Sequence, residues 1–285
     1  MVNQTEPRPR RSLLFVPGLR PDRYPKALAA GADIVCVDLE DAVALPRKDE
    51  ARALTLPLFA EQMDHPEVER MARINPLSTV EGLKDILALN DCTAPPPALM
   101  LPKPSSAAEI RLYDDLLGGT CAHIRFHVII ESSEGLENVH EIAQASPRIQ
   151  SLLFGAVDLS ASLRAEKTWE TMLYARSRVV HAAARFSLDL IDVPYLNLKD
   201  TEGHAAEARA SRDLGFTGKA AIHPNQIPIL NDIFTPTPEL VARARRIIAE
   251  FAANTTGLLV VDGELIEQPV LRSMQRVVAI ADRLV

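Results

Sequence analysis

The chain has 285 residues, 47% of them hydrophobic and 24% charged, and its 31 Lys and Arg against 38 Asp and Glu give a formal net charge of −7. This is an ordinary globular composition that excludes collagenous, disordered and disulfide-scaffold classes, and its acidic balance speaks against a nucleic-acid or other polyanion binder. Cys36, Cys92 and Cys121 stand at unrelated spacings, so no disulfide framework or zinc knuckle follows, and a reducing, cytoplasmic setting is expected.

Residues 1–10 read as a disordered tail. Arg10-Arg11-Ser12-Leu13-Leu14-Phe15 has the outline of a twin-arginine export signal, but its apolar run stops at Val16. A secretory core needs roughly 7–15 apolar residues, and a membrane span about 18, so neither export nor insertion is expected. From there short apolar runs alternate with segments of helical period. Strand Leu13–Pro17 precedes helix Asp22–Ala30, Ile34–Leu39 precedes Arg47–Gln62, and Met71–Ile74 precedes Thr79–Leu89. Ala98–Leu101 leads to Ala107–Leu117, Ile124–Ile130 to Glu134–Gln144, and Leu152–Val157 to Thr168–Phe186. Leu190–Val193 with Glu202–Leu214, then Ala220–Ile222 with Pro224–Ile233, complete eight units.

Near-continuous apolar strands are buried on both faces, as in a parallel sheet clothed by helices. Ser78, Ser105-Ser106 and Ser133 are candidate N-caps, and Gly31, Gly118-Gly119 and Gly215 candidate C-terminal stops. Eight strict alternations predict a (β/α)8 TIM barrel over residues 11–234. A doubly wound sheet is second, since Val16-Pro17-Gly18-Leu19-Arg20 is no glycine-rich phosphate turn. Residues 235–285 remain as an extension, a lid or oligomerisation arm: an amphipathic helix Pro238–Asn254, a hairpin through Leu258–Val261, Gly263 and Leu265-Ile266, and a helix Val270–Leu284.

Polar residues gather at the C-terminal ends of the strands. The second runs into Asp38, Glu40 and Asp41, the third into Arg73 and Asn75, and the fourth into Lys103. The fifth runs into Glu131, the sixth into Asp158 and the eighth into His223. Those ends converge on the face where barrel chemistry takes place. Glu131 and Asp158, with Glu40 and Asp41 nearby, form an oxygen-only cluster without His or Cys at ligand spacing. That donor set suits Mg2+, with Mn2+ as a substitute, over zinc. Arg73 offers a planar fork for a carboxylate. A cation beside such a clamp can chelate a keto or hydroxy acid and support an enolate, as aldol- and Claisen-type chemistry requires. Four other readings are weighed. Glu131 and Asp158 could be buried partners of Arg73 and Lys103, Lys103 could form a Schiff base, and His223 could hold a loop. Ser160 and Ser162 lack a nucleophile-elbow context.

The ordered segments Arg11–Gly18, Asp38–Val43, Arg73–Pro76, Leu101–Lys103, Glu131–Gly135, Phe154–Leu159 and Gly218–Ile227 resemble the HpcH/HpaI aldolase superfamily, and within it the citrate lyase β-subunit-like (CitE-like) and malyl-CoA lyase family. The resemblance implies Mg2+ on Glu131 and Asp158, with Glu40 and Asp41 near its water shell. Arg73 would act on the keto-acid carboxylate or enolate oxygen, and Gly155-Ala156 and Asp158 would meet the substrate. It further implies coenzyme A across the barrel mouth, with Arg20, Arg23 or Lys103 near its phosphates. Relatives carry a C-terminal Asp-Gly-x-x-Ile-Asp-x-Pro motif that closes over a neighbouring subunit's site. Here it reads Asp262-Gly263-Glu264-Leu265-Ile266-Glu267-Gln268-Pro269, placing Glu267 in the role of the second acid. The expectation is a Mg2+-dependent carbon–carbon lyase for a carboxylated 3-hydroxyacyl-CoA, working as a homotrimer or hexamer. Thioester hydrolysis, malate-synthase-like condensation, a CoA-independent pyruvate aldolase and a non-catalytic lyase-complex subunit are the alternatives.

Overall fold

The computed structural model describes residues 8–60, 65–254 and 259–284. Residues 1–7 of the expected tail, the Gln62 end of the second expected helix and the Leu258 start of the hairpin lie outside them. Eight parallel strands pair in chain order and close: β1 (Ser12–Pro17), β2 (Ile34–Asp38), β3 (Glu69–Arg73), β4 (Ala98–Leu101), β5 (Arg125–Ile130), β6 (Ile149–Phe154), β7 (Asp189–Asp192) and β8 (Gly218–Ala221), which returns to β1. Around them run α1 (Tyr24–Leu28), α2 (Lys48–Thr55), α3 (Val80–Asn90), α4 (Ala107–Leu116), α5 (Ser133–Glu137) and α6 (Val139–Ala143). These are followed by α7 (Ala156–Leu163), α8 (Trp169–Arg185), α9 (Thr201–Leu214) and α10 (Ile227–Phe234). The expected (β/α)8 barrel is the observed fold. No helix among the described residues is long and apolar enough to cross a membrane.

Two compact units divide the chain, Arg10–Asn231 and a smaller one containing residues 232–284, with the boundary inside α10. The smaller unit holds α11 (Pro238–Ala252), the antiparallel strands β9 (Leu259–Val261) and β10 (Glu264–Ile266), and α12 (Gln268–Asp282). Ile247, Phe251, Val261, Ile266 and Leu271 form its core.

Local chemistry moves several boundaries. The second expected helix stops at Thr55 and tightens into a 3-10 turn, Leu56–Phe59, because Pro57 has no amide hydrogen to continue it. The fifth is two short helices broken at Asn138. Thr79 caps α3 through Gly82 N, and Ser132 caps α5 through Gly135 N, each one residue from the serine expected. The sixth strand ends at Phe154 instead of Val157, and an unforeseen helix, α7, begins two residues later.

Inside the barrel each strand contributes alternate residues. Leu13, Cys36, Met71, Met100, Ile129, Leu153, Ile191 and Ala220 make the apolar centre. Two positions earlier on β3, β5, β6 and β7 stand Glu69, His127, Ser151 and Asp189, a polar base. Arg10 closes it, with Nε 2.6 Å from Glu69 and Nη1 2.8 Å from Asp189. His127 meets Ser151 Oγ at 2.7 Å and Glu69 Oε1 at 3.3 Å. Burial works to raise the Glu69 carboxyl, but His127 and Arg10 outweigh it and hold Glu69 well below the usual carboxylate range. Removing one partner of such a buried set strands the others. Arg10→Ala is therefore expected to lower unfolding free energy by about 3 kcal/mol in urea melts. Arg47→Ala, which breaks a half-exposed pair with Glu50, should cost under about 1 kcal/mol.

Candidate active site

One alternation above the apolar centre, Phe15, Asp38, Arg73 and Glu131 continue the inward-facing rows of β1, β2, β3 and β5. Asp38 and Arg73 are register partners on adjacent strands. Asp38 takes the guanidinium bidentately, Oδ1 from Nε at 2.7 Å and Oδ2 from Nη2 at 2.6 Å. The same carboxylate accepts the Glu40 and Ala42 amides at 2.8 and 3.1 Å, fixing the loop after β2. Arg73 also lies over the Phe15 ring, 5.2 Å from its centroid. Burial works to lower the guanidinium pKa, but Asp38 and Glu40 outweigh it and keep Arg73 charged. Its fork is thus spent on Asp38, leaving Nη1 to face the site. Nη1 stands 3.0 Å from Glu40 Oε2 without hydrogen-bond alignment and 3.5 Å from Asp41.

Lys103 stands among the acids, its Nζ 2.7 Å from Glu40 Oε1 and 2.8 Å from Asp158 Oδ2. Its backbone adopts φ +54°, a left-handed conformation unfavourable for a residue with a Cβ. Lys103 thus pairs with Asp158, which is half-buried, and faces the carboxylates. Asp158 itself is in the first turn of α7, where the helix dipole favours negative charge, and not at a strand end as expected. Glu40 and Glu131 are buried while Asp41 is exposed.

Glu131 is the least satisfied of these groups. Its Oε1 is buried without a hydrogen-bond partner, as is Glu40 Oε2. Burial, then repulsion from Glu40, pushes the Glu131 carboxyl up to about 8, and burial also raises Glu40 against the opposing pull of Arg73 and Lys103. Gly155 lies against it. A Cβ there would stand 2.5 Å from Glu131 Cβ and 2.7 Å from Oε2, so only glycine leaves the carboxylate its place.

Asp38, Asp41, Arg73, Glu131, Gly155 and Asp158 border a cavity of about 840 Å³. Leu14, Val16, Phe154, Val193 and Leu196 supply apolar wall, and Arg20, Arg23 and Lys26 a basic stretch of it. Lys26 escaped the sequence reading; it lies one helical turn from Arg23, a spacing that could have shown it. Arg20 is paired bidentately with Asp22. His223 also lines the cavity, with Nδ1 accepting the Asn225 amide at 3.2 Å, which leaves the ring proton on Nε2. Asp192 borders the cavity as wall: Arg176, Ser211 and Lys219 take its oxygens at 3.2, 2.6 and 2.7 Å. Glu267 lies in the smaller unit, exposed at the N-cap of α12.

Does this donor set fit a divalent cation? Among the described residues no three His, Cys, Asp or Glu side chains form a ready cage. Mg2+ commonly takes only one or two carboxylates and completes its shell with water and substrate. A buried carboxylate oxygen without a partner, beside a half-buried second acid whose neighbouring nitrogen is the Lys103 ammonium and not an imidazole, fits that pattern.

The family model described as HpcH/HpaI aldolase/citrate lyase matches residues 11–224. The chain is 33% identical to an L-malyl-CoA/beta-methylmalyl-CoA lyase of Cereibacter sphaeroides, over 96% of this chain and 95% of that one. It is 32% identical to a mitochondrial citramalyl-CoA lyase of Rattus norvegicus, over 96% and 86% of the two chains. Among solved structures, CitE of Mycobacterium tuberculosis in complex with magnesium, acetoacetate and coenzyme A superposes with a TM-score of 0.78. It is 31% identical and covers 95% of this chain and 97% of its own.

Two outcomes test the site's electrostatics. Folded Glu131 keeps a proton that the unfolded chain releases near its ordinary pKa of 4.5, so folding stability falls as pH rises from there through about 8. In metal-free, EDTA-treated protein, melting temperature should therefore drop between about pH 5 and pH 9, and Glu131→Gln should flatten the drop. Gly155→Ala, which drives a methyl group into the Glu131 carboxylate, should weaken Mg2+ binding in calorimetry by roughly 10-fold or more.

Proposed function

The chain belongs to the HpcH/HpaI aldolase/citrate lyase family, and its matched relatives are CoA-ester lyases. From that premise we propose that it is a Mg2+-dependent carbon–carbon lyase cleaving a carboxylated 3-hydroxyacyl-CoA of the citryl, citramalyl or malyl type into a keto acid and an acyl-CoA. One observation carries the reading: the buried, unpartnered oxygen of Glu131 beside Glu40 and Asp158 on the cavity wall.

Glu131 and Asp158 would hold the cation, Mg2+ or in its place Mn2+, and Glu40 and Asp41 border its water shell. When bound, the cation supplies Lewis-acid stabilisation to the oxygens of the hydroxy-acid end. Arg73, locked by Asp38, orients that end through Nη1 and offsets negative charge as the bond breaks. The Gly155-Ala156 backbone meets the substrate. Glu267, reaching in from a neighbouring copy in a trimer or hexamer, takes the hydroxyl proton. The carbon–carbon bond then breaks, its electron pair passing to the acyl-CoA as an enolate that is afterwards protonated, while the hydroxyl carbon becomes the keto group. Arg20, Arg23 and Lys26 meet the coenzyme A phosphates. Lys103 stays with the carboxylates as their counter-ion. The protein works in the cytoplasm.

A panel of citramalyl-, malyl- and citryl-CoA tests this by product identification with and without EDTA. Keto acid plus acyl-CoA, lost on chelation and restored by Mg2+, is expected, and turnover unaffected by EDTA would sink the reading. Release of free CoA would assign thioester hydrolysis instead. Arg73→Ala should cost about 10²–10³ in kcat. Glu267→Gln should lower kcat with KM nearly unchanged, the signature of a group acting only in the transition state.

A further inference from the structure

On the helical layer, away from the cavity lining, α6 packs against α8 and brings His140 and His181 together. His140 Nε2 stands 3.3 Å from His181 Nδ1, with ring centroids 5.5 Å apart and planes inclined by 58°. Neither backbone has freedom to separate them. Val139 and Ile142 on one side, and Val179 and Ala182 on the other, are fully buried. Arg178 ties α8 to the end of α5, its Nε 2.9 Å from Leu136 O and its Nη2 2.6 Å from Glu137 O. Its charge also meets Glu137 Oε1 at 3.3 Å, which directs it to that carboxylate. The pair is half-buried to exposed, so an ion can reach it from solvent.

We propose that His140 and His181 form a two-imidazole site for a nitrogen-preferring divalent transition ion of the Zn2+, Ni2+ or Cu2+ class, separate from the oxygen donors of the cavity. Imidazole nitrogens lie about 2.0–2.1 Å from Zn2+, and a centre at that distance from two nitrogens 3.3 Å apart subtends roughly 107°, close to tetrahedral. At present one ring donates to the other. To bind the ion, both facing nitrogens present lone pairs and the protons sit on the far nitrogens, a tautomer exchange that releases no proton. A small turn of each ring about χ2 converts the head-on contact into a chelate, and water completes the shell. Burial, then His181 and Arg178, lowers the His140 pKa, which keeps the ring neutral at physiological pH. By softness and stability order Cu2+ should bind most tightly.

The test is titration of the full chain, held in excess Mg2+, with Zn2+ by calorimetry and with Cu2+ by electron paramagnetic resonance. One Zn2+ per chain, a Cu2+ spectrum with two nitrogen couplings, and a loss of roughly 10-fold or more in Zn2+ affinity in both His140→Ala and His181→Ala are expected. Each variant's metal-free melting temperature controls for folding. Affinity within about twofold of the parent in either folded variant, or a Cu2+ spectrum without two nitrogens, overturns the proposal.

Discussion

A closed eight-stranded barrel offers its interior only every second side chain of each strand, and this alternation decides what the cavity floor contains. Met71 of β3 and Ile129 of β5 lie in the apolar centre, so Arg73 and Glu131 must point inward one level higher, and Glu69 and His127 one level lower. The rows of one β-barrel therefore carry both ends of the chemistry. At the N-terminal end the charges close on themselves, Arg10 against Glu69 and Asp189. At the C-terminal end they do not.

That imbalance is the physical core of the site. Among the described residues, Asp38, Glu40, Asp41, Glu131 and Asp158 outnumber the cations near them, Arg73, Lys103 and Lys48; Arg73 gives its fork to Asp38, and Lys48 is held by the Leu39 and Glu40 carbonyls. Burial removes the water that would otherwise share the excess negative charge. Burial and Glu40 push the Glu131 carboxyl up to about 8, which favours its protonated form at neutral pH, and Lys103, left-handed at φ +54°, pairs with Glu40 and Asp158. A divalent cation would replace the proton. Gly155 keeps the space beside Glu131 open, so the same feature that costs the metal-free fold some stability at high pH leaves room for the ion.

Periodicity made the barrel legible, because eight apolar runs spaced by amphipathic segments admit few other folds, and the clustering of acids at strand ends marked the correct face. The details it missed are set by contacts between distant residues. Asp38 was visible as an acid, but its grip on Arg73 depends on β2–β3 register, which no local pattern states. Asp158 reads as a strand-end residue because Leu152–Val157 is uniformly apolar, whereas the strand stops at Phe154 and α7 carries the residue. For Lys103 the sequence leaves open a partner of the strand-end acids, a Schiff-base lysine and, by the resemblance, a neighbour of the coenzyme A phosphates; the fold puts three carboxylates around it. Asp192 stood in no motif, and Lys219 lay in the Gly218–Ile227 segment with nothing to show its partner; their pairing depends on β7–β8 register.

Mg2+ binding to the EDTA-stripped chain, followed by isothermal calorimetry for the parent and for Glu131→Gln, bears most directly on the claim that Glu131 is a carboxylate awaiting a cation. The account predicts one Mg2+ per chain, taken up with proton release below about pH 8, and loss of that binding in the variant. Equal binding by both proteins would contradict it.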